Sequence, residues 1–423
     1  MVKLERSLSL WEVTLMSIGI ILGAGIYVVI GEAAGITGNS IWISFIIGAV
    51  VASFTSLSYA ELCSRYPKAG AEYVYVKNSF GNTPAWIVSW LIIAGNIIGG
   101  ATVALGFSNY FSALFNTPII PIAIIVLIMC GIILILGIKE TASVTILFTI
   151  IEAVGLVIII FIGMQKFGDV DYLQLTNGIK GIVEGGVLIF FSYLGFQGIT
   201  RLAEETKQPE KNIPKAIILS ILITTIIYIL VAVAAVSVIP AQELAGEGAP
   251  LARIAETAFG KNSFILLSAI ALFSTFNTAL MMLLSGSRLV YGTAKEKALP
   301  QILSKVSKRT LAPWIAIIII VLAAIFFLFI GDLKSIANLT NFTVFTVFIV
   351  INTTLIYLRI KKPIGKGFKV PLSIGKVPII PIFGIFTSAF MMVNLSIDII
   401  VLGFLLIIIG LIVHFLLLRF SKK

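Results

Sequence analysis

The chain has 423 residues, 59% of them hydrophobic and 12% charged, and a mean hydropathy of +1.11. Soluble domains carry about a quarter charged residues, so a soluble enzyme or binding module is excluded. The net charge of +11 would suit nucleic acid, but the basic residues sit in short loops between apolar runs. That placement sets orientation in a membrane, and no nucleic-acid partner is expected.

At bilayer depth every backbone amide must be paired inside its own helix or a closed barrel. The apolar runs are long and unbroken, as in 119–138 and 399–415, whereas barrel strands alternate in polarity over about ten residues. An all-α integral membrane fold follows. About twelve spans are predicted, at 10–35, 41–63, 83–114, 119–138, 142–164, 182–202, 213–239, 263–292, 313–330, 336–358, 378–395 and 397–418. The short charged start and the glycine-broken first run argue against a signal peptide. Threading the chain through these spans leaves only Lys166, Lys180, Arg253, Lys261 and Lys334 on one side. The other 25 of the 30 basic residues lie with the two termini. Both termini are therefore expected in the cytoplasm of a multi-pass protein of the cell membrane. Cys63 and Cys130 are separated and, with one histidine in the chain, offer no metal, haem or nucleophilic set. Neither a cofactor nor an enzymatic activity is expected.

Two spans are interrupted. The first holds Gly19, Gly23, Gly25, Gly31 and Gly35, although each interior glycine costs a helix about 1 kcal/mol relative to alanine. Close packing by small residues is one reading of that run. The sixth span breaks at Ser192-Tyr193-Leu194-Gly195-Phe196, with polar Gln197, Thr200 and Arg201 following. Interruptions in corresponding positions of two five-helix halves point to an inverted-repeat transporter whose half-helix ends line a midplane site. Freed amides suit a carboxylate and freed carbonyls an ammonium or a cation. An amino acid offers both groups.

The residues around these breaks carry a family resemblance. Ser9-Leu10-Trp11-Glu12 through Leu22-Gly23-Ala24-Gly25-Ile26-Tyr27 resembles the glycine motif of the amino acid, polyamine and organocation transporter superfamily. In order there follow Ser58-Tyr59-Ala60-Glu61-Leu62, Tyr66-Pro67-Lys68-Ala69-Gly70 and Phe191-Ser192-Tyr193-Leu194-Gly195-Phe196. Ala203-Glu204-Glu205-Thr206, Asn277 with Ser287-Arg288, and Gly367-Phe368-Lys369-Val370-Pro371 complete the pattern over essentially the whole chain. The resemblance implies the leucine-transporter fold: inverted repeats at 1–164 and 165–361, then two further helices in 362–423. It also implies a secondary transporter of amino acids working by alternating access. Carried over by position, backbone groups of Gly23, Ala24, Gly25 and Ile26 would take the substrate carboxylate, and Ser192, Tyr193 and Gly195 the α-amino end. Phe191 aligns with an aromatic that caps substrate from outside in related exchangers; a lipid-facing or core phenylalanine is its other reading. For Phe273 and Phe276, core packing is the better reading.

Ionisable groups within spans are functional candidates by default. Glu12, Glu32, Glu61 and Glu184 lie towards span ends, where snorkelling or loop pairing suffices. Glu152 lies well inside the fifth span with no basic residue near it in sequence. Several proton-coupled members of the resembling family carry a lysine there, whose ammonium takes the place of a sodium ion. A glutamate alternates instead between anion and neutral acid, so a proton cycle would have the opposite charge sense. Three readings stand: Glu152 couples protons to transport with hydroxyls such as Ser274, it binds a cation or the substrate amine, or it is a permanently protonated structural group. Arg201, Glu204 and Glu205 read as an inner gate pairing with first-loop groups such as Arg65, or else as a solvated loop face. His414 reads as a packing or interface residue rather than a proton relay, and Asn96 as hydrogen-bonding in the core or towards substrate, with packing the better reading. Protons or sodium are candidate coupling ions, neutral amino acids are favoured over polyamines, and an uncoupled exchanger and a channel are the rival functions.

Overall fold

The computed structural model describes residues 4–329, 333–361 and 367–421. Five of the 25 basic residues placed with the termini, Lys3, Lys362, Lys366, Lys422 and Lys423, and Ile330 at the end of the ninth predicted span lie outside these residues, as do the side chains of Ala24 and Lys334.

Helix α1 (Leu10–Ala24) opens on a capping box, in which the Glu12 amide donates to Ser9 Oγ and the Ser9 amide to Glu12 Oε2. Its helical backbone fails at Gly23 (φ −48°, ψ −135°), and the chain continues as a π-helical turn, Gly25–Val29, into α2 (Ile30–Thr37). After α3 (Ile41–Arg65) comes α4 (Ala71–Phe80), a short helix outside every predicted span. Next are α5 (Asn82–Phe115), α6 (Ile119–Leu136) and α7 (Ile138–Met164). α7 begins four residues before the predicted span, because the stop is Gly137 at φ +129°, a conformation that favours glycine. α8 (Gly178–Phe190) ends in 3₁₀ turns at Phe191–Tyr193 and Phe196–Leu202.

α9 (Pro209–Val238) leads to α10 (Ala241–Leu244) and α11 (Pro250–Phe259), where the sequence reads only as a hydrophilic stretch. α11 buries Leu251, Ala252, Ile254 and Ala255 on one face; a single amphipathic face of that length has no spanning signal. α12 (Lys261–Lys295), α13 (Trp314–Phe327) and α14 (Leu333–Lys361) follow. A two-residue antiparallel ribbon of β1 (Ser373–Ile374) and β2 (Val377–Pro378) precedes α15 (Ile379–Val393) and α16 (Ile397–Ser421).

Among the described residues nine helical runs are long and apolar enough to cross a membrane. The first, Leu10–Arg65, turns back at Gly38–Ser40 and makes two passes. With the shorter apolar helices α13 and α15, twelve passes result. The protein is an all-α, multi-pass membrane protein. Both chain ends meet one side: Lys139 at the start of α7 pairs with Glu5 at 2.7 Å, and His414 near the end of α16 contacts Thr83 at the start of α5.

The broken segments are the innermost. The most apolar stretch of the first run is 88% buried and that of Gly178–Leu202 83%, against 22% for Ile397–Leu417. Irregular backbone at bilayer depth is tolerated where protein or an aqueous cavity surrounds it, and these two breaks are surrounded by protein. α16 instead lines the outside of α5. Its Gly410 and Leu406 carbonyls accept from the Trp86 and Trp90 indoles, and His414 stacks on Trp86 with ring centroids 5.5 Å apart.

Candidate functional site

The two interruptions touch. A Cβ added to Gly25 would collide with the backbone and side chain of Ser192, and one on Gly23 with Thr278 of α12. Glycine at these positions lets α1 seat against the Thr278 side chain and lets the π-helical turn meet the turn after α8 at backbone distance. Gly195 turns the chain at φ +124°, and a Cβ there would stand 2.7 Å from Ile20. Tyr228 of α9 fastens both breaks: its hydroxyl contacts the Ile21 carbonyl and lies 3.0 Å from the Ser192 carbonyl. The Ser192 hydroxyl is buried without a hydrogen-bond partner. Tyr193 sends its hydroxyl to the Phe45 carbonyl (3.1 Å), and Ile26 and Phe191 are buried beside the breaks. Gly23, Gly25, Ile26, Phe191, Ser192, Tyr193 and Gly195 thus share one region, together with the backbone of Ala24.

A narrow cleft runs from Leu194 and Gly195 of this region to Arg201, towards the side of the termini. Its wall is mainly apolar, with Ile20, Ile92, Leu194, Met282 and Phe348. Asn96, Gln197, Ser285, Thr340 and Thr343 are interspersed, and Arg201 supplies its charge. Asn96 lines this cleft while its Nδ2 donates to the Ile92 carbonyl one turn back. Phe273 is 40% exposed and stacks edgewise on Phe148, and buried Phe276 meets the same ring.

Glu152 sits halfway along α7 and is fully buried. The Tyr27 hydroxyl of the π-helical turn donates to its backbone carbonyl at 2.7 Å, and Tyr110 of α5 donates to the Tyr27 carbonyl at 2.8 Å. One carboxyl oxygen accepts from Asn277 Nδ2 at 3.3 Å; the other has no hydrogen-bond partner. Ser274 lies beside the carboxyl with its own hydroxyl unpartnered. An isolated carboxylate in such surroundings is costly, so this cluster suits a group that gains and loses a proton or meets a cation.

The side of the termini is closed by buried ion pairs and an exposed one, Lys295–Glu204. Arg201 forks onto Glu72 of α4 (3.1 and 2.6 Å) and touches Ser285 of α12. Arg288 of α12 forks onto Glu205 (3.2 and 2.9 Å), and Lys295 holds Glu204 at 2.7 Å. Arg359 of α14 forks onto Glu61 of α3, which also accepts from the Val370 amide. Arg65 stands 3.8 Å from Glu61, one turn away. The expected alignment of Arg65 with the Glu204–Glu205 pair is therefore replaced by Glu72, Arg288 and Lys295. Glu72 was not singled out in the sequence because it falls between spans, in a helix without a spanning signal. Nearby, Glu296 meets Lys77 at 2.9 Å and Lys68 at 3.1 Å. Partial burial raises its carboxyl, but the two ammonium groups outweigh that and leave it below the usual carboxylate range.

The sequence profile of the family described as amino acid permease matches residues 8–421. The branched-chain amino acid permease BcaP of Bacillus subtilis is 30% identical, the alignment covering 100% of this chain and 94% of that protein. The vacuolar cationic amino acid transporter 4 of Arabidopsis thaliana is 30% identical over 79% of this chain and 60% of its own length. The methylthioribose transporter of Bacillus subtilis is 28% identical over 90% of this chain and 86% of its own.

Proposed function

The chain belongs to the amino acid permease family and carries amino acids across a membrane; from that premise we propose that it does so by alternating access, with a proton on Glu152 as the coupling ion. The observation that carries the coupling is the Glu152 carboxyl itself, buried beside the broken first pass with one oxygen unpartnered. When the cluster is enclosed, a neutral acid avoids the cost of a bare anion at bilayer depth. When water reaches it, the proton leaves. In this reading residues 1–164 and 165–361 are inverted repeats, followed by 362–423. The amides and carbonyls around Gly23–Ile26 and Ser192–Gly195 hold the substrate's carboxylate and amine, with Phe191 over it. The pairs Arg201–Glu72, Arg288–Glu205 and Lys295–Glu204 form the inner gate, on the cytoplasmic side with both termini, in the cell membrane.

The cleft favours neutral, aliphatic substrates. No acidic residue lines it among the described residues, and its one cation, Arg201, is engaged by Glu72. A cationic side chain would find no counter-charge there.

Uptake of radiolabelled leucine and of arginine into proteoliposomes tests both points. Leucine uptake should exceed arginine uptake and respond to an imposed pH gradient, and Glu152→Gln should abolish that response. An unchanged response in the variant sinks the proton role. Uptake only into leucine-loaded vesicles, with none into empty ones, replaces coupling by obligate exchange.

A further inference from the structure

Asn277 lies on α12, three residues after Ser274, and faces α7 and the first pass. Its Nδ2 donates to Thr149 Oγ1 (3.2 Å) and to Glu152 Oε1 (3.3 Å). The amide's orientation is fixed by Thr149, whose hydroxyl donates to the Thr145 carbonyl at 2.8 Å and the Leu15 carbonyl at 3.4 Å. With its proton committed there, Thr149 Oγ1 accepts, so the Asn277 nitrogen must face it. A Cβ on Gly19 of α1 would stand 2.7 Å from the same nitrogen. Three atoms are left over, Asn277 Oδ1, Glu152 Oε2 and, beside the carboxyl, Ser274 Oγ, all buried and without hydrogen-bond partners.

A primary amide and a carboxylic acid are complementary, N–H to carbonyl and O–H to amide oxygen, two bonds closing one ring. A carboxylate accepts the first bond only and turns its second oxygen's lone pairs on those of the amide. Asn277 Oδ1 and Glu152 Oε2 are the two acceptors between which the second bond of that ring would form, and a proton on Oε2 completes it; the Ser274 hydroxyl beside the carboxyl can donate to the acid and to the anion alike.

We propose that Asn277 is the positioning residue that holds the coupling proton on Glu152. This rests on the proton role given to Glu152 above. The protonated acid and Asn277 form the two-bond ring that ties α12 to α7. On release the Oε2–H bond breaks, the proton passes to water as hydronium, and the carboxylate keeps one bond to Asn277 and faces its oxygen. The same amide nitrogen holds Thr149, which reaches the Leu15 carbonyl of α1, so loss of the ring is felt at the broken pass. The titratable groups that face the carboxyl from neighbouring elements are Tyr27 of the π-helical turn and Tyr228 of α9. Phenols are neutral through the physiological range, so neither supplies a competing charge.

The test is an infrared titration of the full chain in detergent, following the carbonyl stretch of the protonated carboxyl that Glu152→Gln removes. Asn277→Ala removes the acceptor that only the acid uses, and with it the Nδ2 donor that the carboxylate accepts, so its two effects on the midpoint oppose each other and the band itself is the readout: the carbonyl stretch of the protonated carboxyl should move to higher frequency as the ring is lost. Asn277→Asp puts a second carboxyl there to share the proton, and the midpoint should rise; the Glu152→Gln/Asn277→Asp double variant identifies the added band. If Asn277→Ala does not fold, the rise in Asn277→Asp decides alone. An Asn277→Ala band at the wild-type frequency, or a folded Asn277→Asp that keeps the wild-type midpoint, overturns the proposal and leaves Asn277 a packing residue. A band that persists in Glu152→Gln overturns the reading of Glu152 instead, so the two failures are told apart.

Discussion

Single residues at the breaks are constrained by backbone contact more than by side-chain chemistry. Gly195 combines a left-handed φ with the close approach of Ile20. Gly195→Ala should therefore lower the thermal transition in detergent, by a destabilisation on the order of 1–3 kcal/mol, and reduce uptake with it. An unchanged transition would mean that the turn relaxes freely. Gly25→Ala should act differently, because its φ is ordinary helical and the obstacle is the backbone at Ser192. That variant is expected to retain its fold with the two breaks pushed apart, and to lose most uptake; wild-type uptake would show that the contact is dispensable. The glycines of the first span were legible in the sequence, because an interior glycine run is rare enough to mark an interruption. Tyr228 was not. A tyrosine in a long apolar helix looks like any other core aromatic until the two carbonyls it serves, 207 and 36 residues away in the chain, are brought together.

At the scale of elements, α12 presents Ser285, Arg288 and Lys295 along one face to the tail of the sixth pass, which answers with Arg201, Glu205 and Glu204. Removing one member of a buried, forked pair leaves the other uncompensated, at a cost of about 3–5 kcal/mol. Arg288→Ala should open this closure, and Cys63, buried against the Thr200 carbonyl in the described state, is a native reporter. Its labelling by a membrane-permeant maleimide should rise severalfold in Arg288→Ala and return towards wild type in Arg288→Met/Glu205→Leu, where both charges are gone. Equal labelling in all three proteins would remove these residues from the gate. The clasp of Glu296 with Lys77 and Lys68 has a pH sign. A carboxyl held below its usual range stabilises the contact above its unfolded-state value, and that contribution disappears as pH falls through the lower, folded value. Acidification, or Glu296→Gln at neutral pH, should loosen α4 from the end of α12, seen as faster amide exchange over Ala71–Phe80; exchange there that ignores both changes would show that the clasp holds nothing. The Arg201–Glu204–Glu205 cluster was visible as a charge group just past a break, but its partners were not. Glu72 and Arg288 lie 129 and 83 residues from the groups they pair with, and no local pattern relates them.

Over the whole molecule, hydropathy was sufficient for the passes because the bilayer imposes a length on each helix and forbids unpaired backbone between its faces. What it does not encode is which faces meet inside the bundle, where lipid and core side chains are equally apolar. The short α13 and α15 show the limit from the other side: at 1.5 Å per residue, 14 and 15 residues reach about 21–23 Å, less than the roughly 30 Å of hydrocarbon. Flanking residues or local thinning must supply the rest. Orientation is a property of the same scale, because it depends on the sum of charges over all loops. With 25 of the 30 basic residues on the side of the termini, inverting the protein would require moving most of its positive charge across the membrane. The prediction is direct. Asp169 and Lys207 are exposed on opposite faces, in the loops after α7 and before α9, and both native cysteines are buried. In intact cells an impermeant maleimide should label Asp169→Cys and spare Lys207→Cys, which reacts only after the membrane is opened. The reverse pattern would place the Arg201, Arg288 and Lys295 pairs on the outer face and make the proposed inner gate an outer one.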